Sequence, residues 1–307
     1  MASLTDQPLV SIITPSFNQG AFIAQTIESV LSQDYPHIEY LVVDGGSRDT
    51  TLDVLRRYDR RIRWISEPDG GQADAINKGV TLTSGPIVAW LNSDDVYAPG
   101  AVSRAVRELQ AYPATALVYG QAEFIDDEAT VMGPCSHVES FDLDRLIHNA
   151  DFIVQPAAFF SRETLVAVGG LNTSLHYCFD YDLWIRFGKC RSVRYVPSVL
   201  ARARVHPETK TANGGLERMD EIERMIQAHG RALLPSHFYC EMLQECGHAG
   251  RQALAAGDWG TAWSCVRRGA VYGLALALAP IGSPRRSSRP TPVRDRLMGS
   301  QIQQGAP

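Results

Sequence analysis

The residues best suited to chemistry are Asn92-Ser93-Asp94-Asp95, directly after the apolar run IVAWL from Ile87 to Leu91. Adjacent carboxylates at a strand end repel each other and cost stability unless a cation or a set of donors neutralises them. Oxygen ligands of this kind suit Mg2+ or Mn2+, which keep positions open for diphosphate oxygens. The same residues could instead form an Asp-rich turn that caps a helix starting near Pro99. Three more polar clusters stand in similar places: Pro15-Ser16-Phe17-Asn18 after LVSIIT, Asp44-Gly45-Gly46-Ser47 after YLVV, and Glu67-Pro68-Asp69 after IRWIS.

Each cluster needs an element to hold it. The runs Leu9 to Thr14 and Tyr40 to Val43 predict buried strands, and Ile62 to Ser66 and Ile87 to Leu91 predict two more strands. Helical spacing is predicted between them over residues 21–32, 50–58 and 72–82, the first placing Phe22, Ile23, Ile27, Val30 and Leu31 on one face. Strand and helix alternate, which implies a parallel sheet covered on both faces. In such a sheet ligands gather beyond the carboxyl ends of the strands, where all four polar clusters fall. Further on, strands are predicted at Ala116 to Tyr119, Pro156 to Ser161 and Val193 to Val196, and helices from Leu216 to about Ala279.

Composition narrows the function classes. A net charge of -5 argues against a sequence-independent nucleic-acid partner, which needs a dominant basic face. Cys135, Cys178, Cys190, Cys240, Cys246 and Cys265 show no C-x-x-C pair and read as buried free thiols. The first ten residues lack a signal-peptide pattern, so a reducing cytoplasm is expected. AVYGLALALAPIG from Ala270 is too short to span a bilayer and reads as a packed helix or a membrane-surface contact. Residues from Ser283 are rich in Ser, Pro and Arg and are expected to be disordered.

The segments PSFNQGAFIAQTIESVLSQ, VVDGGSRDTT, SEPDGGQADAINKG, WLNSDDVYAPGAV, FDYDLWIRF and RVHPETKT, in this order from about Pro8 to Lys210, resemble the family 2 glycosyltransferases. The resemblance implies a GT-A fold: a Rossmann-like, mostly parallel central sheet flanked by helices, here with a C-terminal helical extension. The domains expected are a glycosyltransferase domain over 1–215, a helical region over 216–282 and a disordered basic tail over 283–307. The first divides into a nucleotide-binding half, about 8–112, and an acceptor half, about 113–215. The activity implied is inverting transfer of a sugar from a nucleotide-sugar donor, by default a UDP-sugar, to a hydroxyl acceptor. That acceptor would be a glycan or a lipid-linked alcohol in bacterial surface polysaccharide synthesis, and the enzyme would be cytoplasmic or peripheral at the inner face of the membrane.

Carried over residue by residue, the resemblance implies that Pro15, Phe17 and Asp44 hold the base, Phe17 by stacking and Asp44 by a hydrogen bond. Asp44 could otherwise cap the following turn. Asp94 matches the last acid of the DXD signature that binds Mn2+ or Mg2+, and Asp95 follows it. Asn92 replaces the first acid, and Gly45 replaces a more usual second acid after the base-binding strand. Asp69 and Asp74 lie near the nucleotide, although Asp74 could be merely solvated, and Lys78 could meet a phosphate or pair with an acid. Asp180 takes the place of the catalytic base, with Asp182 its rival and Phe179 where Glu is commoner. Trp184 offers a sugar-stacking face or fills the core. His206 would reach the metal, Lys210 would neutralise the diphosphate, and Gln155-Pro156 with Gly169-Gly170-Leu171 would shape the acceptor floor.

Two other readings are open. A sugar-1-phosphate nucleotidyltransferase shares the core and the Mg2+ dependence, but expects a basic, Gly-rich loop after the first strand. Pro15 to Gly20 has one glycine and no Lys or Arg. A catalytically inactive member that only binds nucleotide or glycan is the other, since fold does not guarantee activity.

Overall fold

A computed structural model describes residues 7–135, 137–148, 151–207, 209–230 and 236–278. Its first half alternates β1 (Val10–Ser16), α1 (Ile23–Leu31), β2 (Ile38–Asp44), α2 (Thr51–Arg57), β3 (Arg63–Ser66), α3 (Gln72–Thr81) and β4 (Ile87–Trp90). Then follow β5 (Val96–Tyr97), α4 (Ala101–Ala111), β6 (Thr115–Ile125), β7 (Val131–Pro134), α5 (Leu143–His148), a 3-10 turn (Gln155–Ala157), β8 (Ala158–Ser161) and α6 (Arg162–Ala167). The remainder is α7 (Phe179–Cys190), β9 (Ser192–Arg204), α8 (Lys210–Asn213), α9 (Gly215–Ala228), α10 (Ser236–Ala255) and α11 (Trp259–Leu278).

The strands form one sheet in the order β3-β2-β1-β4-β8-β6-β9-β5, with β7 paired to β6. Pairing is parallel from β3 through β4, as the alternation predicts. Beyond β4 the sheet is mixed: β8 runs antiparallel to both β4 and β6, β9 is parallel to β6, and β5 is antiparallel to β9. Only the first part follows strand-helix-strand crossovers, and only such crossovers force parallel neighbours.

Burial explains why these segments hold. All seven residues of β1 are buried, and α1 buries Ile23, Thr26, Ile27 and Val30 on one face. Each aliphatic side chain so covered contributes about 1.5–3 kcal/mol. β4 alternates between two cores, with Ile87, Ala89 and Leu91 in one cluster and Trp90 facing Phe160 and Trp184 on the other side. Gly79 brings α3 close to β1, since a Cβ there would lie 2.5 Å from Ile13 Cγ2.

The described residues divide into two compact units, one within 7–143 and 152–206, the other within 144–151 and 207–278. In the second, α9, α10 and α11 bury Met219, Ile222, Met225 and Ile226, then Met242 and Cys246, then Ala262, Cys265 and Tyr272. All six cysteines are free, but Cys190 and Cys240 are exposed, a correction to the expectation that all are buried. The tail over 283–307 lies outside the described residues. Among the described residues no helix is long and apolar enough to cross a membrane.

Candidate active site

The carboxyl ends of β1, β2, β3 and β4 are stitched together by hydrogen bonds, which gathers the polar clusters in one place. Gly45 N donates to Ser16 O (2.8 Å), Asn18 N to Ser47 Oγ (2.7 Å), and Arg48 N to Asn18 Oδ1 (2.9 Å). Glu67 N donates to Asp44 O (3.0 Å), and at β4 Gln72 Nε2 donates to Asn92 Oδ1 (2.8 Å). Phe17 stands at the rim of this region, 59% exposed. So large an apolar ring in water is a platform a planar ligand could cover.

Asp44 is fully buried, and its carboxylate already accepts from Gly46 N, Ser47 N, Ser47 Oγ and Ser66 Oγ. It shapes the loop after β2, and a base edge would have to displace one of these donors. Pro15 is buried within β1. Asp69 accepts from Gly71 N (2.8 Å) and Asp74 from Gly70 N (2.9 Å), so both brace the turn into α3. A Cβ on Gly45 would come within 2.8 Å of Asp69 Oδ2, which gives the glycine at that position a physical reason. Of its two readings Lys78 takes the pairing one, with Nζ 3.0 Å from Glu67 Oε1, and this bond raises its pKa.

The Asp pair is divided in its duties. Asp95 is buried, accepts from Arg204 N (2.9 Å) and Asn92 Nδ2 (3.2 Å), and its main-chain oxygen accepts from Thr26 Oγ1 (2.8 Å). Burial pushes its carboxyl well above the usual range and the charge of Asp94 adds to this, while the bonds from Arg204 and Asn92 pull it down. Asp94 is more open, its side chain 21% exposed, and its Oδ2 lies 3.1 Å from His206 Nε2. His206 is itself buried, with its ring 5.0 Å from that of Phe22. Two neighbouring ligands of an octahedral ion, each about 2.1 Å from it, stand about 3.0 Å apart. The Asp94–His206 pair therefore fits two adjacent positions on Mn2+ or Mg2+, beside a buried carboxyl that a cation would relieve. Among the described residues no group of three or more His, Cys, Asp or Glu is placed to hold a metal ion, so the positions beyond this pair would fall to water or ligand oxygens.

Arg204 is the residue that motif reading overlooked. Only 3% exposed, it donates from Nε to Asp94 O (2.8 Å), from Nη1 to Asp126 O and Asp127 O, and from Nη2 to Gln25 Oε1 (2.7 Å), with its guanidinium over the Phe22 ring. It ties the Asp loop to α1 and to the turn after β6. Replacing it by methionine should cost about 2–4 kcal/mol, because several buried carbonyls lose their donor at once. Urea denaturation measures this; a loss below about 0.5 kcal/mol would show that the network is dispensable.

Asp180 lies in the first turn of α7, half-buried, its Oδ1 accepting from Tyr181 N (2.8 Å). Phe179 is buried against Trp90 (ring centroids 6.3 Å), which seats this turn on the strand leading to the Asp cluster. Asp182 is different: it is 7% exposed and paired with Arg186 (2.7 Å), whose Nη1 holds Val168 O and Gly170 O. Asn77 grips the same turn from α3 through both main-chain groups of Leu171. Trp184 is fully buried and stacked on Trp90 at 5.5 Å, so it fills the core and offers no face to a sugar. Gln155 is buried and donates to Trp90 O (2.9 Å). Lys210 opens α8 in the second compact unit.

A sheet that is parallel from β3 through β4 and carries an acid pair, a histidine and an exposed aromatic at its carboxyl edge makes this an α/β protein whose polar cluster lies where such folds take their ligands. More narrowly, the Glycosyl transferase family 2 profile matches residues 11–168, and the chain belongs to that family. An uncharacterised glycosyltransferase of Rickettsia typhi is 31% identical over 237 residues, covering 73% of this chain and 72% of its own. A Pyrobaculum calidifontis mannosyltransferase in complex with GDP-Man and Mn2+ superposes with a TM-score of 0.59 at 20% identity, over 89% of this chain and 87% of its own. S. aureus TarS 1-349 in complex with UDP gives 0.56 at 18% identity, over 77% and 70%. The match spans 42% of a longer TarS chain. The GT-A-type fold is thereby established, with a mixed sheet, and the chain is a transferase.

Proposed function

We propose that this glycosyltransferase binds a nucleotide-sugar donor, a UDP-sugar first, and passes its sugar with inversion to a hydroxyl of a glycan or lipid-linked acceptor. Bacterial surface polysaccharide or glycoconjugate synthesis is the setting that fits. The observation that carries this reading is the Asp94–His206 pair, partly exposed on its Asp94 side and held at the strand ends by Asp95 and Arg204. Phe17 stacks on the base, and the loops braced by Asp44, Asp69, Asp74 and Asn92 enclose the nucleotide. Asp94 and His206 hold Mn2+ or Mg2+, which when bound offsets charge on the leaving diphosphate. Asp180 takes the acceptor proton while the acceptor oxygen bonds to the anomeric carbon and the bond from that carbon to the diphosphate oxygen breaks. The domain limits of 1–215, 216–282 and 283–307 and a cytoplasmic location accompany this proposal.

A thermal-shift panel of UDP-, dTDP- and GDP-sugars with and without Mn2+ tests it. At about one hundred times Kd the right donor stabilises by about 2.7 kcal/mol, a rise of roughly 5 °C or more. Phe17→Ala should weaken that donor about tenfold and leave the free protein's Tm unchanged, since the ring is exposed. No shift with any nucleotide sugar would overturn the proposal, and sustained pyrophosphate release from a nucleoside triphosphate and a sugar phosphate would replace it with nucleotidyl transfer.

A further inference from the structure

The strongest feature outside the site is one face of α11. Trp259 (73% exposed), Trp263 (65%), Val266 (60%) and Leu274 (66%), with exposed Ala270 between the last two, follow spacings of four, three, four and four, which align them along one side of the helix. The helix's packing uses another side, through buried Ala262, Cys265 and Tyr272. Single exposed apolar residues are ordinary, but a continuous stripe opened by two tryptophans is not. Indole suits a membrane interface because it joins an apolar body to one N–H donor.

Charge chooses the occupant. From Trp259 to Leu278 the helix carries no acid and presents exposed Arg267, Arg268 being paired with Asp220, and in the sequence Arg285, Arg286, Arg289, Arg294 and Arg296 follow against Asp295 alone. The chain's own residues after Leu278 are a poor cover for the stripe, being mostly Ser, Pro, Arg, Gly and Gln. We propose that α11 lies on an anionic lipid surface, with the Trp259, Trp263, Val266 and Leu274 stripe at the boundary of headgroups and acyl chains and Arg267 beside it, the positive charge of the sequence that follows adding to the attraction. Surface contact without spanning agrees with the length and apolarity of the described helices. The inference stands independently of the donor and acceptor.

The test uses the full chain with vesicles of phosphatidylcholine alone or mixed with phosphatidylglycerol. Co-sedimentation with the mixed vesicles, a blue shift of tryptophan emission and weakening by salt are expected. Trp259→Ser with Trp263→Ser, which leaves the buried face intact, should remove the blue shift and lower the apparent affinity roughly tenfold. Changing Arg285, Arg286, Arg289, Arg294 and Arg296 to Gln should abolish the preference for phosphatidylglycerol. Unchanged binding by the tryptophan double variant would overturn the proposal, as would equal binding to neutral vesicles. So would absence of vesicle binding together with a dimer that the double variant dissolves, which would assign the stripe to a second copy.

Discussion

Asp94→Ala will abolish metal-dependent donor binding while leaving the fold in place. The side chain is a fifth exposed and its one described side-chain contact is His206, whereas the bond from Arg204 goes to the main-chain oxygen and survives the substitution. Removing the carboxylate also takes a like charge away from buried Asp95, whose ionisation burial and Asp94 together oppose. Stability without metal should therefore stay within about 1 kcal/mol of wild type. In the wild type, Mn2+ should tighten donor binding; in the variant, calorimetry should find the donor bound about a hundredfold more weakly in Mn2+, a loss of about 2.7 kcal/mol. His206→Ala should reproduce part of this. A variant that kept the wild-type response to Mn2+ would move the cation elsewhere.

What could be read in the chain before its coordinates follows from which forces are local. The first four strands announce themselves because each is a short apolar run closed by Pro, Asp, Glu or Asn, and the polar residues follow at once. β5 has only two residues, and β6 and β9 extend past their apolar starts because long-range pairing, Gln121 to Val199 through Ile125 to Arg204, supports polar residues there. Arg204 was illegible for the same reason. In ARARVHPETK it reads as a surface charge, and only the register that carries β9 beside Ile125 buries it under the Asp loop. Asp182 carried a usable signal, since Arg186 stands four residues on, the spacing at which a helix pairs opposite charges. Trp184 had one too: Tyr181, Trp184, Ile185 and Phe187 mark a helix face made for a core. Resemblance marks a region of the chain; burial separates the side chains within it that reach solvent from those that fill the core.

That distinction gives the second large effect, at Asp180. A general base must reach the acceptor hydroxyl, and of the two acids opening α7 only Asp180 is open enough to do so, because Asp182 is buried and spent on Arg186. Asparagine at 180 keeps the volume and can still accept from Tyr181 N. Loss of one positioned base lowers kcat by about 10²–10⁴, with donor Kd held within about twofold. Asp182→Asn should behave in the opposite way, costing about 1–3 kcal/mol by removing the counter-charge of the partly buried Arg186 guanidinium and loosening the turn at Val168 to Gly170. Its activity should follow the folded fraction. Single-turnover transfer paired with equilibrium unfolding separates the two. Full turnover in Asp180→Asn, with turnover lost in a stably folded Asp182→Asn, would reverse the roles, because only the group that touches the acceptor can change the chemical step without changing the fold.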